Sequence, residues 1–247
     1  MKLIKEIAGR IFAIWAIVMF VATMLIFLIP FLLFSYTAKD PTKTNRFAAF
    51  ARVWMGIYLP LIGCPLKVKG RKHFAPGENY VVVCNHNSFM DVPISYPAIP
   101  GGNKTIAKIE MARIPLFGLI YKTGSVLVDR KSEASRRESY LQMRRVLDMG
   151  LHMCIYPEGT RNLTDQPLKS FHDGAFRLAI DSGKSIIAGV IFNTRKVLPT
   201  SKSFFLMPRK MEIHFLPPIP VQPGDTAQSL KEKVYKLMHD YYVNPQS

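Results

Sequence analysis

No charged residue interrupts positions 11–34. As a helix this stretch is about 36 Å long, more than the ~30 Å of hydrocarbon in a bilayer. Secretory signals have a shorter apolar region, and Tyr36-Thr37-Ala38 lacks a small-x-small cleavage pattern, so the segment reads as an anchor. A second apolar stretch at 47–66 carries only Arg52, and a polar turn at 37–45 joins the two. Pro30 breaks the first run, and cations flank it almost symmetrically: Lys2, Lys5 and Arg10 before it, Lys39, Lys43 and Arg46 after it. Such symmetry leaves the positive-inside rule without a preferred orientation. The expectation is an N-terminal two-helix membrane-anchoring hairpin, residues 1–66, that dips into one leaflet and sets its flanking cations among anionic headgroups.

From Lys67 onward, short apolar runs alternate with longer amphipathic ones. This rhythm predicts one α/β domain over 67–247, a mixed β-sheet flanked by helices. Strands are expected at 80–84, 104–107, 125–128, 153–156, 185–192 and 211–215. Helices are expected at 132–149, ended by Gly150, at 172–181, stopped by Gly183, and at 229–242, where Leu230, Val234, Leu237, Met238 and Tyr241 share a face. The run from Met111 to Tyr121 is unusually apolar for a connector and reads first as a core helix, second as a wall for a greasy substrate.

Composition narrows the partners. A formal net charge of +16 with 49% hydrophobic residues suits a membrane surface or a phosphate-rich ligand. Nucleic acid is disfavoured, because no zinc-finger spacing, basic-leucine pattern or Lys/Arg-Gly-Phe signature is present. Cys64, Cys84 and Cys154 cannot all pair and lack metal-ligand spacing, which leaves buried reduced thiols and no metal site. Reduced thiols fit a reducing compartment, and the expected location is the inner, cytoplasmic membrane with the catalytic domain on the cytoplasmic side. Gly183-Lys184-Ser185 imitates the end of a P-loop but has Leu178 where the earlier glycine belongs, and Gly-x-Ser-x-Gly is absent.

Three clusters carry candidate chemistry. Asn85-His86-Asn87-Ser88-Phe89-Met90-Asp91 follows the strand Val81-Val82-Val83-Cys84, so it sits where open α/β sheets build active sites. A neutral imidazole takes a proton from a hydroxyl, and a carboxylate on its other nitrogen fixes the tautomer. Residues five apart on one helix point roughly 140° away from each other. His86 therefore has to lie in the turn before a helix, with Asp91 in that helix's first turns. No protein nucleophile accompanies the pair, so the hydroxyl belongs to a substrate. The second cluster, Gly124 to Arg130, ends a strand in Asp129-Arg130, with Lys131, Arg136 and Arg137 close behind. It forms either a surface ion pair or a field that attracts phosphate or an acidic carrier protein. In the third, Tyr156-Pro157-Glu158-Gly159-Thr160-Arg161, Gly159 allows close backbone approach and Arg161 offers a bidentate fork. Glu158 there is expected to accept hydrogen bonds from a glycerol-like hydroxyl. Its plainer reading is a polar turn closing a strand.

In this order and spacing the clusters resemble the glycerolipid acyltransferase family, specifically the 1-acylglycerol-3-phosphate (lysophosphatidic acid) acyltransferases. Asn85-His86 with Asp91 is similar to the family's N-H-x-x-x-x-D motif. Ile114-Pro115-Leu116-Phe117-Gly118 with Gly124 to Arg130 resembles its second block. Tyr156 to Arg161 resembles Phe-Pro-Glu-Gly-Thr-Arg, with tyrosine for phenylalanine. Phe171-His172-Asp173-Gly174-Ala175-Phe176 resembles Phe-Lys-x-Gly-Ala-Phe, with His172 for lysine. The fourth block departs: Ile186-Ile187-Ala188-Gly189-Val190-Ile191 has no proline in a segment the family links with the acyl donor. The resemblance covers about residues 68–220. It implies acyl transfer from acyl-coenzyme A or acyl-carrier protein to the sn-2 hydroxyl of lysophosphatidic acid, giving phosphatidic acid, with no cofactor beyond the co-substrate. On that basis His86 is the base and Asp91 its orienter, and Arg161 with Arg130 holds the acceptor phosphate. Glu158, Gly159 and Thr160 position the glycerol, and Lys108 places the acyl carbonyl. Other expectations compatible with the motifs are a different lysolipid acceptor (another lysophospholipid, a lyso-ornithine lipid or glycerol 3-phosphate), a non-catalytic lipid-binding protein, and a lipid hydrolase.

Overall fold

Valine and isoleucine runs with apolar residues on both faces require cover on both sides, which favours a sheet between two helical layers. The computed structural model, which describes residues 2–245, has that arrangement. Seven strands are described: β1 Leu66–Lys69, β2 Val81–Cys84, β3 Asn103–Lys108, β4 Ser125–Val128, β5 His152–Ile155, β6 Ile186–Phe192 and β7 Met211–Phe215. They lie in the order β1-β7-β6-β2-β5-β3-β4. Strands β2 to β6 are mutually parallel, β7 runs antiparallel to β6, and β1 pairs parallel with β7. The sheet is therefore mixed, and the carboxyl ends of β2, β3, β4, β5 and β6 share one edge.

Side chains alternate between two cores. Val82, Cys84, Cys154, Tyr156 and Ile187 pack beneath helices α1 Lys2–Phe31, α2 Thr42–Leu61 and α3 Asp91–Ala98. Val81, Val83, Met153, Ile155 and Ile186 pack against α5 Glu133–Asp148, α6 Gly174–Ser182 and α8 Ala227–Val243. Two short helices, α4 Phe117–Thr123 and α7 Thr194–Val197, complete the set. Each fully buried side chain such as Phe176 or Ile187 contributes about 1.5–3 kcal/mol over leaving it in water.

Helix α1 continues through a π-helical turn, Leu32–Tyr36, and α2 returns against it. The two are in contact along their length: Phe31 meets Phe47, the Trp54 Nε1–H donates to Thr23 Oγ1 at 3.0 Å, and the Trp15 Nε1–H donates to the Leu61 carbonyl at 3.0 Å. Their exposures differ. One stretch, Leu3–Tyr36, is long and apolar enough to cross a membrane, and most of its surface is uncovered. In α2, by contrast, Phe47, Ala48, Ala51, Trp54, Met55, Tyr58 and Leu59 are buried in the core shared with α3 and the sheet. Its apolarity is used on protein. Arg52, the lone charge in that run, donates to the carbonyls of Ile99 and Gly101 at 3.1 Å each.

Two segments differ from expectation. Residues 66–69 form an edge strand that is not among those expected; with four residues, Lys67 and Lys69 alternating with apolar ones, it gives little periodic signal and has the charges typical of a guarded edge. The Met111–Tyr121 run is not one core helix. It splits into a 3-10 segment, Ile109–Arg113, and α4, with Ile114 and Leu116 exposed between them. Pro115 is the physical reason, since it disfavours helical backbone at the residue before it.

Candidate active site

Strand β2 ends at Cys84, and the chain then turns sharply into α3. Asn85 holds that turn: its amide accepts from the Ile191 N–H at 2.7 Å and donates to the Ile191 carbonyl at 3.0 Å, tying β2 to β6. His86 follows, its Nδ1 2.8 Å from Asp91 Oδ2. The same oxygen accepts the backbone N–H groups of Asn87 at 2.6 Å and Ser88 at 2.7 Å. Asp91 opens α3, so its carboxylate also faces the positive end of the helix dipole. A carboxylate oxygen only accepts, so the bond to Asp91 places a hydrogen on Nδ1 of His86 and leaves Nε2 of the neutral ring as an acceptor. The side chain of Asp91 is 0% exposed and that of His86 19%, so the carboxylate is sealed while the imidazole reaches the surface. Among the described residues no hydroxyl bonds to the ring. The fully buried Ser88 donates through Oγ to the Leu198 carbonyl at 3.1 Å.

Strand β5 ends beside this turn. The Tyr156 ring lies 4.6 Å, centroid to centroid, from the His86 ring, and its hydroxyl pairs with Ser95 Oγ of α3 at 2.6 Å. Ser95 thus meets the polar group that tyrosine adds where the resembled family has phenylalanine, and burial pushes the phenol's pKa well up.

Glu158 requires a correction. The sequence points it at a ligand hydroxyl, but it is 1% exposed and bonded to backbone: Oε1 accepts the His86 N–H at 2.7 Å, Oε2 the Lys169 N–H at 3.2 Å. The reason is packing. The loop after β5 folds over the His86 turn, and the buried N–H groups require an acceptor. Glu158 is therefore a clamp between the turn and the loop, helped by the Asn162 N–H donating to the His86 carbonyl at 2.6 Å. Burial raises its pKa to about 7. A carboxyl whose folded pKa lies above its unfolded value binds more protons when folded. Stability is then fully present below about pH 4.5 and declines as pH rises toward 7. Glu158→Gln is expected to remove this decline, seen in urea melts across that range; an unchanged pH slope contradicts the assignment.

Around the clamp lie the cations. Gly159 has a φ of +70°, and a Cβ there would come within 2.8 Å of the His172 ring, so only glycine fits. Its carbonyl accepts from Arg130 Nη1, which joins the end of β4 to the loop after β5. Arg136 in turn donates to the Arg130 carbonyl at 2.8 Å. Thr160 Oγ1 accepts from Lys169 Nζ at 2.7 Å. The Arg161 guanidinium stands 3.8 Å from the centroid of the Phe89 ring, an exposed aromatic in the His86–Asp91 loop. The structure thus brings His86, Asp91, Arg130, Glu158, Gly159, Thr160 and Arg161 together. Lys108 sits at the carboxyl end of β3, on the same edge but separated from β2 by β5, and its exposed side chain has no ion-pair partner among the described residues. Sequence reasoning missed Tyr156–Ser95, Phe89–Arg161, Asn162 and Lys169; only the tyrosine-for-phenylalanine departure points toward any of them. Cys64, Cys84 and Cys154 are buried and free, and no cluster of three potential metal ligands occurs among the described residues.

A braced imidazole at the carboxyl edge of an α/β sheet, with Arg130 and Arg161 in the neighbouring loops, is an arrangement able to take a proton from a hydroxyl next to an anionic group. The chain belongs to the acyltransferase family, whose model matches residues 65–191. It is similar to 1-acyl-sn-glycerol-3-phosphate acyltransferase alpha of Ovis aries, 29% identical over 182 residues, which are 72% of this chain and 63% of that protein. It is also similar to the 1-acyl-sn-glycerol-3-phosphate acyltransferase of Limnanthes douglasii, 27% identical over 190 residues, 76% of this chain and 66% of that protein. The chain thus spans less than two thirds of these relatives' length. The crystal structure of the 1-acyl-sn-glycerophosphate (LPA) acyltransferase PlsC from Thermotoga maritima superposes with a TM-score of 0.79, covering 98% of both chains at 18% identity, a likeness of fold.

Proposed function

We propose that this protein is a membrane-bound acyltransferase that moves a fatty acyl group from acyl-coenzyme A or acyl-carrier protein to the sn-2 hydroxyl of lysophosphatidic acid, giving phosphatidic acid. The observation that carries the reading is His86 Nδ1 at 2.8 Å from the sealed Asp91 carboxylate, with no hydroxyl of the described residues bonded to the ring. The names of the relatives supply the acceptor.

In this reaction His86 Nε2 removes the hydroxyl proton as the oxygen attacks the thioester carbonyl. The tetrahedral intermediate collapses, the carbon–sulfur bond breaks, and the imidazolium returns its proton to the departing thiolate. Asp91 holds the tautomer throughout and stabilises the imidazolium. Arg161 and Arg130 bind the acceptor phosphate, the first pre-oriented on Phe89 and the second on the Gly159 carbonyl. Gly159 and Thr160 shape the glycerol side of the site. Lys108 is assigned to the acyl donor. The exposed apolar face of α1 keeps the domain at the bilayer on its cytoplasmic side, so the acceptor need not enter water.

A panel of acceptors with labelled donor tests this. Lysophosphatidic acid is expected to outperform lysophosphatidylcholine and monoacylglycerol. Arg161→Ala is expected to raise KM for lysophosphatidic acid about 10–100-fold, the worth of a charge-assisted bond, with little effect on monoacylglycerol. Equal losses on both acceptors would remove Arg161 from phosphate binding.

A further inference from the structure

At the opposite edge of the sheet from His86, a cavity of about 250 Å³ is lined by Tyr36, Asp40, Lys43, Lys104, Lys122 and Thr123. Lys104 and Lys108 lie four residues apart on β3, about 13 Å along the strand, and β3 is two places from β2 in the sheet. The cavity is therefore separate from the proposed acceptor site. Its charges are unequally matched. Asp40 is fully engaged, with Oδ2 on Lys104 Nζ at 2.6 Å and Oδ1 on Thr44 Oγ1 at 2.6 Å and Thr44 N at 3.2 Å. Lys104 is thereby neutralised. Lys43 and Lys122 have no carboxylate partner among the described residues, and Lys43 Nζ instead stands 4.7 Å from the Tyr36 ring centroid. Two unmatched cations thus border one cavity. Ile29, Leu33 and Phe34, each at least 64% exposed, are uncovered apolar side chains on the helical run that ends at the cavity's Tyr36.

An anionic head beside an apolar track is the signature of an amphiphile. We propose that this cavity binds the phosphate headgroup of an anionic membrane lipid, its chains lying along the exposed strip of α1, so that the turn between α1 and α2 is fixed at the headgroup level. The volume holds a phosphate and its glycerol link but not a whole lipid. The proposal rests on the reading of α1 as a membrane anchor.

Lysine acetylation read by peptide mass spectrometry tests it on the full chain. The protein is bound to vesicles of phosphatidylcholine alone, or of phosphatidylcholine with phosphatidylglycerol. Acetylation of Lys43 and Lys122 is expected to slow about fivefold in the mixed vesicles, while Lys233 and Lys236 on α8 are unchanged. Equal rates in the two vesicles overturn the headgroup site, as does the same protection by millimolar inorganic phosphate without lipid, which marks a free-phosphate site. Lys43→Gln with Lys122→Gln is expected to weaken the preference for anionic vesicles more than Lys233→Gln with Lys236→Gln, a pair equal in charge, and leave binding to phosphatidylcholine and turnover on micellar substrate unchanged; equal weakening by the two pairs overturns the proposal. A protein that binds neither vesicle removes the anchor reading and this proposal together; binding to both without preference removes the proposal alone.

Discussion

Asp91→Ala is expected to lower turnover about 10²–10⁴-fold and to destabilise the fold in the same step. The activity loss follows from the tautomer. Without the carboxylate, Nδ1 of His86 is no longer required to carry the hydrogen, and the imidazolium formed during transfer has no counter-charge. The stability loss follows from the N–H groups of Asn87 and Ser88, which donate to Asp91 Oδ2 at 2.6 and 2.7 Å inside a sealed turn. Each orphaned buried donor costs about 1–3 kcal/mol. Urea denaturation and steady-state kinetics on one preparation check both halves. A variant that unfolds at the wild-type midpoint shows that the two backbone bonds do not matter; one that keeps wild-type turnover shows that the carboxylate does not brace the base.

His86→Ala separates chemistry from architecture. The imidazole is at the surface edge, and besides its bond to Asp91 the turn is held by Asn85 on Ile191, Glu158 on the His86 N–H, Asn162 on the His86 carbonyl, and the Asn87 and Ser88 N–H groups on Asp91. Turnover is expected to fall about 10²–10⁴-fold, the usual worth of a positioned base, while the thermal midpoint and vesicle binding stay near wild type. Residual activity above one tenth of wild type contradicts the assignment. A variant that fails to fold would show the ring to be structural, against the observed hydrogen bonds.

What the sequence discloses depends on the range of each interaction. His86 and Asp91 lie in one loop, so spacing and strand-end position suffice to pair them. Parallel strands are legible because burial on both faces leaves continuous valine and isoleucine runs. Glu158 misleads because its partner is a backbone N–H 72 residues away, and backbone donors carry no side-chain signature. Arg161 is recognisable as a cation, but its seat on Phe89 depends on the loop after β5 crossing the α3 turn, a tertiary event. Ser95 has meaning only once Tyr156 is known to sit beneath His86. The second apolar stretch looks like membrane because burial against protein and burial in lipid select the same residues; the packing of α2 on α3 separates them.

The central claim is that the acyl group goes to a lipid hydroxyl activated by His86, not to water. The most direct measurement is the distribution of a labelled acyl chain after incubation of the purified protein with donor, in the presence and absence of lysophosphatidic acid. Labelled phosphatidic acid is expected only when the acceptor is present, and an unconsumed donor without it. Labelled free fatty acid released at a comparable rate without acceptor would contradict it.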